Sequence, residues 1–160
     1  MTSIQPARFA DGRPMLLAGL RRVHTFADAR RTIPEQWRDL ETLGPIPGRQ
    51  GTAAYGVICG AQPQAQTMEF MTGVEVASFD GLPPETGRMR VPPAHYAVFL
   101  HRGGRAALQE TWMAIWDWLP RSGYASAQTP DFELYDDRFD PRTDTGEIEI
   151  WVPVHPAGAP

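Results

Sequence analysis

One side of the last predicted strand, residues 147–154, carries two carboxylates and an indole. Glu147, Glu149 and Trp151 alternate there with apolar residues without a break, and successive side chains of a strand point to opposite faces. A carboxylate beside an indole suits a flat, apolar and cationic compound, because the ring supplies contact area and the acid supplies charge. The apolar side should pack on a core. The other side is therefore either solvent-exposed surface or the wall of a ligand pocket.

Glu149 is the residue on which this choice depends. By composition alone, an exposed strand carboxylate would be the favoured interpretation. Trp151, two positions further on, is a poor residue for a solvent-exposed position and favours a pocket. A carboxyl group surrounded by Trp and Tyr rings would have its charged form desolvated and its pKa raised. Such a group binds a cation when ionised or donates a proton when neutral, and the sequence leaves both roles open.

The composition fits one domain of ordinary size, or two small halves with a shared core. The 160 residues include 42% hydrophobic residues and five tryptophans, which is enough for an apolar interior. The formal net charge of −4 argues against a nucleic-acid surface. The single cysteine, Cys59, excludes an internal disulfide and is compatible with a reducing cytoplasm. With no signal-peptide pattern and no segment of membrane-spanning length, we expect a cytoplasmic protein without direct contact with nucleic acid or membrane.

Prolines and glycines divide the chain into two runs with the same order of elements. The first run comprises a strand over residues 15–23, a helix that starts at a capping box of Thr32 and Glu35, and strands over residues 53–59 and 67–79. The second comprises a strand over residues 93–101, a helix over residues 104–119, and strands over residues 131–137 and 146–154. Corresponding elements lie roughly 75–80 residues apart, which is typical of a duplicated supersecondary unit. This predicts an α+β domain of two βαββ halves with pseudo-twofold symmetry.

The predicted domain covers residues 14–155, with halves at about residues 14–80 and 93–155. We expect a flexible N-terminus over residues 1–13 and a flexible tail over residues 156–160. One helix in each half covers only one face of its strands. A ligand groove between the halves is therefore predicted for the other faces.

Aligning the halves predicts which side chains line that groove, with Met71 at the position of Glu149 and Tyr55 at that of Glu133. The predicted ligand-binding residues are Glu149, Trp151, Tyr55, Met71, Glu133 and Tyr135. Glu133 has an alternative role in a surface ion pair with an arginine. Because side chains alternate with a period of two, a slip of one residue would invert these assignments.

The sequence contains no pattern that indicates a metal or a cofactor. Its four histidines share no metal-ligand spacing, and its lone cysteine cannot form a ligand pair. The glycine-rich segments lack both the Lys-Ser/Thr of a phosphate-binding loop and the dinucleotide fingerprint. We therefore predict that the protein binds neither a metal nor a cofactor.

From about residue 17 to residue 154, the order and spacing of several short segments resemble one known family. They are residues 32–34 with Trp37, residues 55–57, residues 73–76, residues 96–99 with His101 and Gly103, residues 118–120 with residues 122–123, residues 130–135, and residues 149–154. The chain resembles the GyrI-like, or AraC-type effector-binding, family of small-molecule-binding domains.

The resemblance implies two βαββ halves, related to the SH2 motif, that enclose a ligand cleft. In multidrug-binding members an acidic residue on the final strand faces cationic aromatic ligands, and Glu149, four residues before Pro153, matches that position. Some stand-alone members hydrolyse strained cyclopropane-bearing natural products, and others sense effectors behind a DNA-binding domain. No helix-turn-helix segment precedes Met15, which argues against direct contact with DNA.

Three functions follow as hypotheses. The first is binding of apolar, aromatic and cationic compounds for sequestration or sensing. The second is a hydrolase in which Glu149 acts as general acid or positions water and Tyr55 polarises the substrate. The third is an effector-sensing subunit that contacts a partner protein. The sequence leaves self-association open.

Overall fold

The computed structural model describes residues 3–158 and contains two compact units. The central unit is Pro14–Val91, and the terminal unit is the described chain on either side of it. Both consist of antiparallel strands and one α-helix, so the predicted α+β class is confirmed. The elements, in chain order, are β1 Arg8–Gly12, β2 Met15–Thr25, α1 Ala29–Thr42, β3 Ala54–Gln62, β4 Thr67–Val76, β5 Gly87–Val91, β6 Ala94–Arg102, α2 Leu108–Trp118, β7 Tyr124–Ser126, β8 Phe132–Tyr135, β9 Phe139–Asp140 and β10 Thr145–Pro156.

The central unit forms a sheet in the order β3-β4-β2-β5, with every neighbouring pair antiparallel. Helix α1 packs on one face of this sheet, where the ring of Trp37 meets that of Phe70 edge-on at 6.5 Å. Gly19 of β2 lies so close to β4 that a Cβ would come within 2.1 Å of the Thr72 carbonyl oxygen. Glycine is therefore required at this point of the β2–β4 ladder.

Helix α1 begins at Ala29, with Asp28 as its N-cap, so the predicted capping box at Thr32 and Glu35 is wrong. Strand β2 continues to Thr25, and the amide of Asp28 donates to the carbonyl of Thr25, which starts the helix about one turn earlier. Thr32 instead lies inside the helix, with its hydroxyl 2.7 Å from Nδ1 of the buried His24.

The terminal unit forms a sheet in the order β1-β6-β10-β8, and β7 and β9 also pair with β10. Helix α2 covers one face, where Trp118 meets Phe99 edge-on at 5.1 Å. Ile148, Ile150 and Val152 of β10 are fully buried. The long strand β10 thus connects every other strand of the unit except β1.

The N-terminus differs from the predicted flexible segment, because Arg8–Gly12 forms an edge strand with five residue pairs to β6. The amide of Ala7 continues the ladder with a 2.7 Å bond to the carbonyl of Val98. Gly12 allows the ring of Tyr96 to pack against this strand, since a Cβ there would lie 2.4 Å from a ring atom. At the other end β10 continues to Pro156. Residues 1–2 and 159–160 of the predicted flexible ends lie outside the described residues.

The central unit has the element order β2-α1-β3-β4, and the terminal unit has β6-α2 followed by β8 and β10, with the short strands β7 and β9 in addition. In each, the third strand of the motif lies between the first and the second, as β2-β4-β3 and as β6-β10-β8. Each also has a buried histidine near the end of its first strand, His24 or His101, whose Nδ1 is hydrogen-bonded at 2.7 Å to a helix threonine hydroxyl. The predicted pseudo-twofold symmetry and the groove between the halves stay predictions.

A fully buried amide fixes α1 to its sheet. The Nε2 group of Gln36 donates to the carbonyls of Leu20 at 3.0 Å and Phe70 at 2.9 Å, and its Oε1 lies 2.6 Å from Nε2 of His24. Leu43, at the C-terminal end of the helix, is by contrast 54% exposed. The helix is therefore positioned by polar bonds as well as by apolar packing.

We expect Gln36→Met to lower the free energy of unfolding by about 2–3 kcal/mol, because it leaves the buried His24 nitrogen without its partner. Urea denaturation would measure the change. Gln109→Met, at an exposed position of α2, is the control and should have little effect. Equal stability of the two variants would show that the amide does not anchor the helix.

Candidate functional site

Glu149 and Trp151 lie on the face of the terminal sheet opposite the buried isoleucines of β10. Strand pairing places Glu149 beside Leu100 of β6 and Leu134 of β8. The Glu149 side chain is only 6% exposed. Glu147, on the same side, is more exposed and bonds to Arg102 at 3.0 Å. The two carboxylates of β10 therefore have different environments.

Three side chains donate hydrogen bonds to the carboxylate of Glu149. Arg8 contacts both oxygens, with Nη1–Oε2 at 2.9 Å and Nη2–Oε1 at 3.2 Å. The indole Nε1 of Trp151 donates to Oε1 at 2.9 Å, and Nη2 of Arg138 lies 3.2 Å from Oε2. Arg138 is itself held by the carboxylate of Asp136 at 2.8 Å.

The pKa of Glu149 is lowered, whereas the sequence predicts that it is raised. Burial alone would raise the pKa, but the hydrogen bonds from Arg8, Trp151 and Arg138 together outweigh that effect. The sequence-based prediction considered only the rings around the acid. Glu149 is therefore an ionised carboxylate with little solvent exposure.

Three rings pack together beside this carboxylate, and we call Tyr96, Phe132 and Trp151 the aromatic triad. Their centroids are 5.2–5.5 Å apart. The guanidinium carbon of Arg8 lies 5.4 Å from the centroid of the Trp151 ring, which is a cation–π distance. The sequence prediction did not include Arg8, Tyr96, Phe132 or Arg138 among the site residues.

Glu133 and Tyr135 lie on the other face of the sheet, so their predicted place beside Glu149 is wrong. Strand β8 pairs Glu133 with Ile150 and Leu134 with Glu149. Because faces alternate, Glu133 shares the side of Ile150, and Phe132 and Leu134 take the side of Glu149. On β8, the sequence-based alignment of the two halves is therefore wrong by one residue.

Glu133 is an acid buried beneath α2, so it does not lie at the surface, where the alternative ion pair with an arginine was predicted. Its Oε2 accepts a 2.9 Å bond from the indole of Trp112, and its Oε1 accepts a 2.7 Å bond from the hydroxyl of Tyr135. Burial raises the pKa of Glu133, and the bonds from Trp112 and Tyr135 offset only part of this rise. An acid enclosed by rings thus exists in this protein, but at position 133.

The other two predicted site residues, Tyr55 and Met71, belong to the central unit. Tyr55 pairs with Gly73 and Met71 pairs with Val57. Met71 alternates along β4 with Phe70 and Thr72, which contact α1, so it lies on the face away from that helix. Both side chains are buried.

Within residues 3–158, no group of three or more His, Cys, Asp or Glu side chains is placed to hold a metal ion. Neither α1 nor α2 is long and apolar enough to cross a membrane.

Asp131, two residues before Glu133, supplies a test of these electrostatics through pH. Burial, and then the charge of Glu133, raise its pKa from 3.8 to about 7. Between these values the folded protein holds a proton that the unfolded chain has released. The stability that this group contributes is therefore present at low pH and is lost as pH rises to about 7.

We expect the free energy of unfolding of Asp131→Asn, relative to that of the wild type, to rise by about 2–4 kcal/mol as the pH is raised from about 4 to about 8. The reason is that the Asp131 carboxyl group ionises over this range and the amide does not. Urea denaturation across this range would measure it. Asp137→Asn, at an exposed position, is the control. A difference between Asp131→Asn and the wild type that stays constant with pH would contradict the assignment.

Comparison with known proteins agrees with this architecture. The family model described as the GyrI-like small molecule binding domain matches residues 8–155. The chain is 32% identical over 127 residues to the transcriptional regulator BrlR of Pseudomonas aeruginosa. The aligned region covers 78% of this chain and 47% of BrlR. The chain thus spans about half the length of that relative.

Two solved structures share the fold at low sequence identity. SAV2435 bound to tetraphenylphosphonium has a TM-score of 0.69 at 18% identity, covering 92% of this chain and 93% of that one. The C-terminal domain of EcmrR has a TM-score of 0.68 at 17% identity, covering 94% and 97%. With the family model matching nearly its whole length, the chain belongs to the GyrI-like small molecule binding domain family.

Proposed function

We propose that this protein binds apolar aromatic compounds, cations among them, at Glu149 and the aromatic triad. The observation that carries the proposal is an ionised carboxylate of low solvent exposure that accepts a bond from an indole and lies beside three packed rings. The rings supply apolar area and negative faces, and the carboxylate supplies charge. Membership of a small-molecule-binding family, and a structural neighbour bound to tetraphenylphosphonium, support this function.

The lowered pKa of Glu149 favours binding over proton donation. A general acid needs to hold its proton near neutral pH, whereas the hydrogen bonds to Glu149 favour its ionised form. Hydrolysis of a strained cyclopropane ring with Glu149 as proton donor is therefore the less supported function. A role for Glu149 in positioning water would not need that proton.

Sensing of an effector is a second candidate function, and it adds a response to the same binding event. It is favoured by the likeness to BrlR, a transcriptional regulator. In this role the ligand-bound form would contact a partner protein. If the amount of partner protein captured from a cell extract by this protein changes when ligand is added, sensing is supported. An unchanged amount would favour sequestration.

We expect tetraphenylphosphonium to quench tryptophan fluorescence of the wild type and Glu149→Gln to weaken its binding roughly ten- to hundredfold, because the partly buried charge pairing is lost. Glu147→Gln is a matched control, since Glu147 lies on the same side of β10 but bonds to the exposed Arg102. It should bind like the wild type. No quenching in the wild type, or equal affinity in all three proteins, would refute the proposal.

For the hydrolase alternative, incubation with an electrophilic cyclopropane compound and mass spectrometry of the products is decisive. We expect the compound to be recovered unchanged, because Glu149 is held as a paired carboxylate. Addition of one water to the compound by the wild type but not by Glu149→Gln would establish hydrolysis at this site instead.

A further inference from the structure

Arg8 makes with its own guanidinium both contacts that the proposed function assigns to a cationic ligand. It forms a two-point ion pair with Glu149 and lies over the ring of Trp151. We propose that Arg8 occupies the cation position of this site and determines which charge class of ligand can enter. This inference rests on the proposed function.

The arrangement allows Arg8 to leave without disrupting the fold. Its side chain is 47% exposed, whereas that of its partner Glu149 is 6% exposed. Strand β1 is held separately by its backbone ladder to β6 and by the bond from Ala7 to Val98. The guanidinium can therefore turn into solvent while the strand that carries it stays paired.

Arg138, the second arginine on Glu149, is fixed more firmly. Its Nε lies 3.0 and 3.2 Å from the two carboxylate oxygens of Asp136, and its Nη2 lies 2.8 Å from one of them. Its backbone amide also donates to Asp136 at 3.0 Å. Arg8 has no comparable second carboxylate among its described contacts. Arg8 is thus the exchangeable counter-ion, and Arg138 is the permanent one.

The charge balance of the site then decides ligand selectivity. Two arginines, Arg8 and Arg138, face two carboxylates, Asp136 and Glu149, so the site is neutral while Arg8 is bound. Neutral aromatic compounds can pack there without displacing it. A cation has to replace Arg8, and the loss of a partly exposed two-point ion pair should weaken its binding roughly tenfold.

Two probes of the same shape and opposite charge test this. Tetraphenylphosphonium and tetraphenylborate would be titrated into the wild type, Arg8→Gln and the control Arg102→Gln. Arg102 pairs with Glu147, which lies on β10 two residues before Glu149, in the way that Arg8 pairs with Glu149. We expect Arg8→Gln to raise the ratio of cation to anion affinity roughly tenfold or more and Arg102→Gln to leave it unchanged. An unchanged ratio in Arg8→Gln overturns the inference and leaves the proposed function standing.

If neither tetraphenyl probe binds, a second measurement tests the role of Arg8 independently of the proposed function. Arg8→Ala should bind methylguanidinium in the vacated position, seen as a shift of the Trp151 indole N–H resonance in NMR. The wild type should show no such shift, because its own guanidinium fills the position. The same response in both proteins, or in neither, overturns the role of Arg8. Failure of the tetraphenyl probes with every variant counts against the proposed function alone.

Discussion

A charged carboxylate with little access to water is the constraint on which the terminal unit depends. Removing an unpaired carboxylate from water costs several kcal/mol, so Glu149 requires partners that favour its ionised form. Arg8 comes from the edge strand, Arg138 from the turn between β8 and β9, and Trp151 from β10 itself. The position of three separate segments is therefore coupled to one ion-pair cluster.

The two buried glutamates of this unit show how partners, and not burial alone, set the protonation of an acid. Glu149 meets two arginines and an indole, and its pKa is lowered. Glu133 meets the neutral donors of Trp112 and Tyr135, and its pKa is raised. They lie on neighbouring strands but on opposite faces of the sheet. Glu149 is the acid that we propose for ligand binding, and Glu133 connects α2 to the sheet.

Both units use a buried polar bond to hold their helix against the sheet. In the central unit the amide of Gln36 reaches two strand carbonyls. In the terminal unit the indole of Trp112 reaches the carboxylate of Glu133. Such bonds are directional and fix the rotation of a helix more narrowly than apolar contact does. Each helix is therefore held in one rotational orientation against the face of the sheet that it covers.

Local sequence patterns determined the order of the two α-helices and of the longer strands β2, β3, β4, β6, β8 and β10, and the faces of β10, but they missed β1, β5, β7 and β9. The unbroken alternation around Ile148 and Ile150 was enough to place Glu149 and Trp151 on one side, since alternation is a property of the strand alone. The pairing of β8 was decided by the tertiary structure, because a shift of one residue leaves the local pattern equally good. So was the charge state of Glu149, whose partner Arg8 lies 141 residues away in the sequence. A pKa depends on which charges the fold brings within a few ångströms, and no local pattern contains that information.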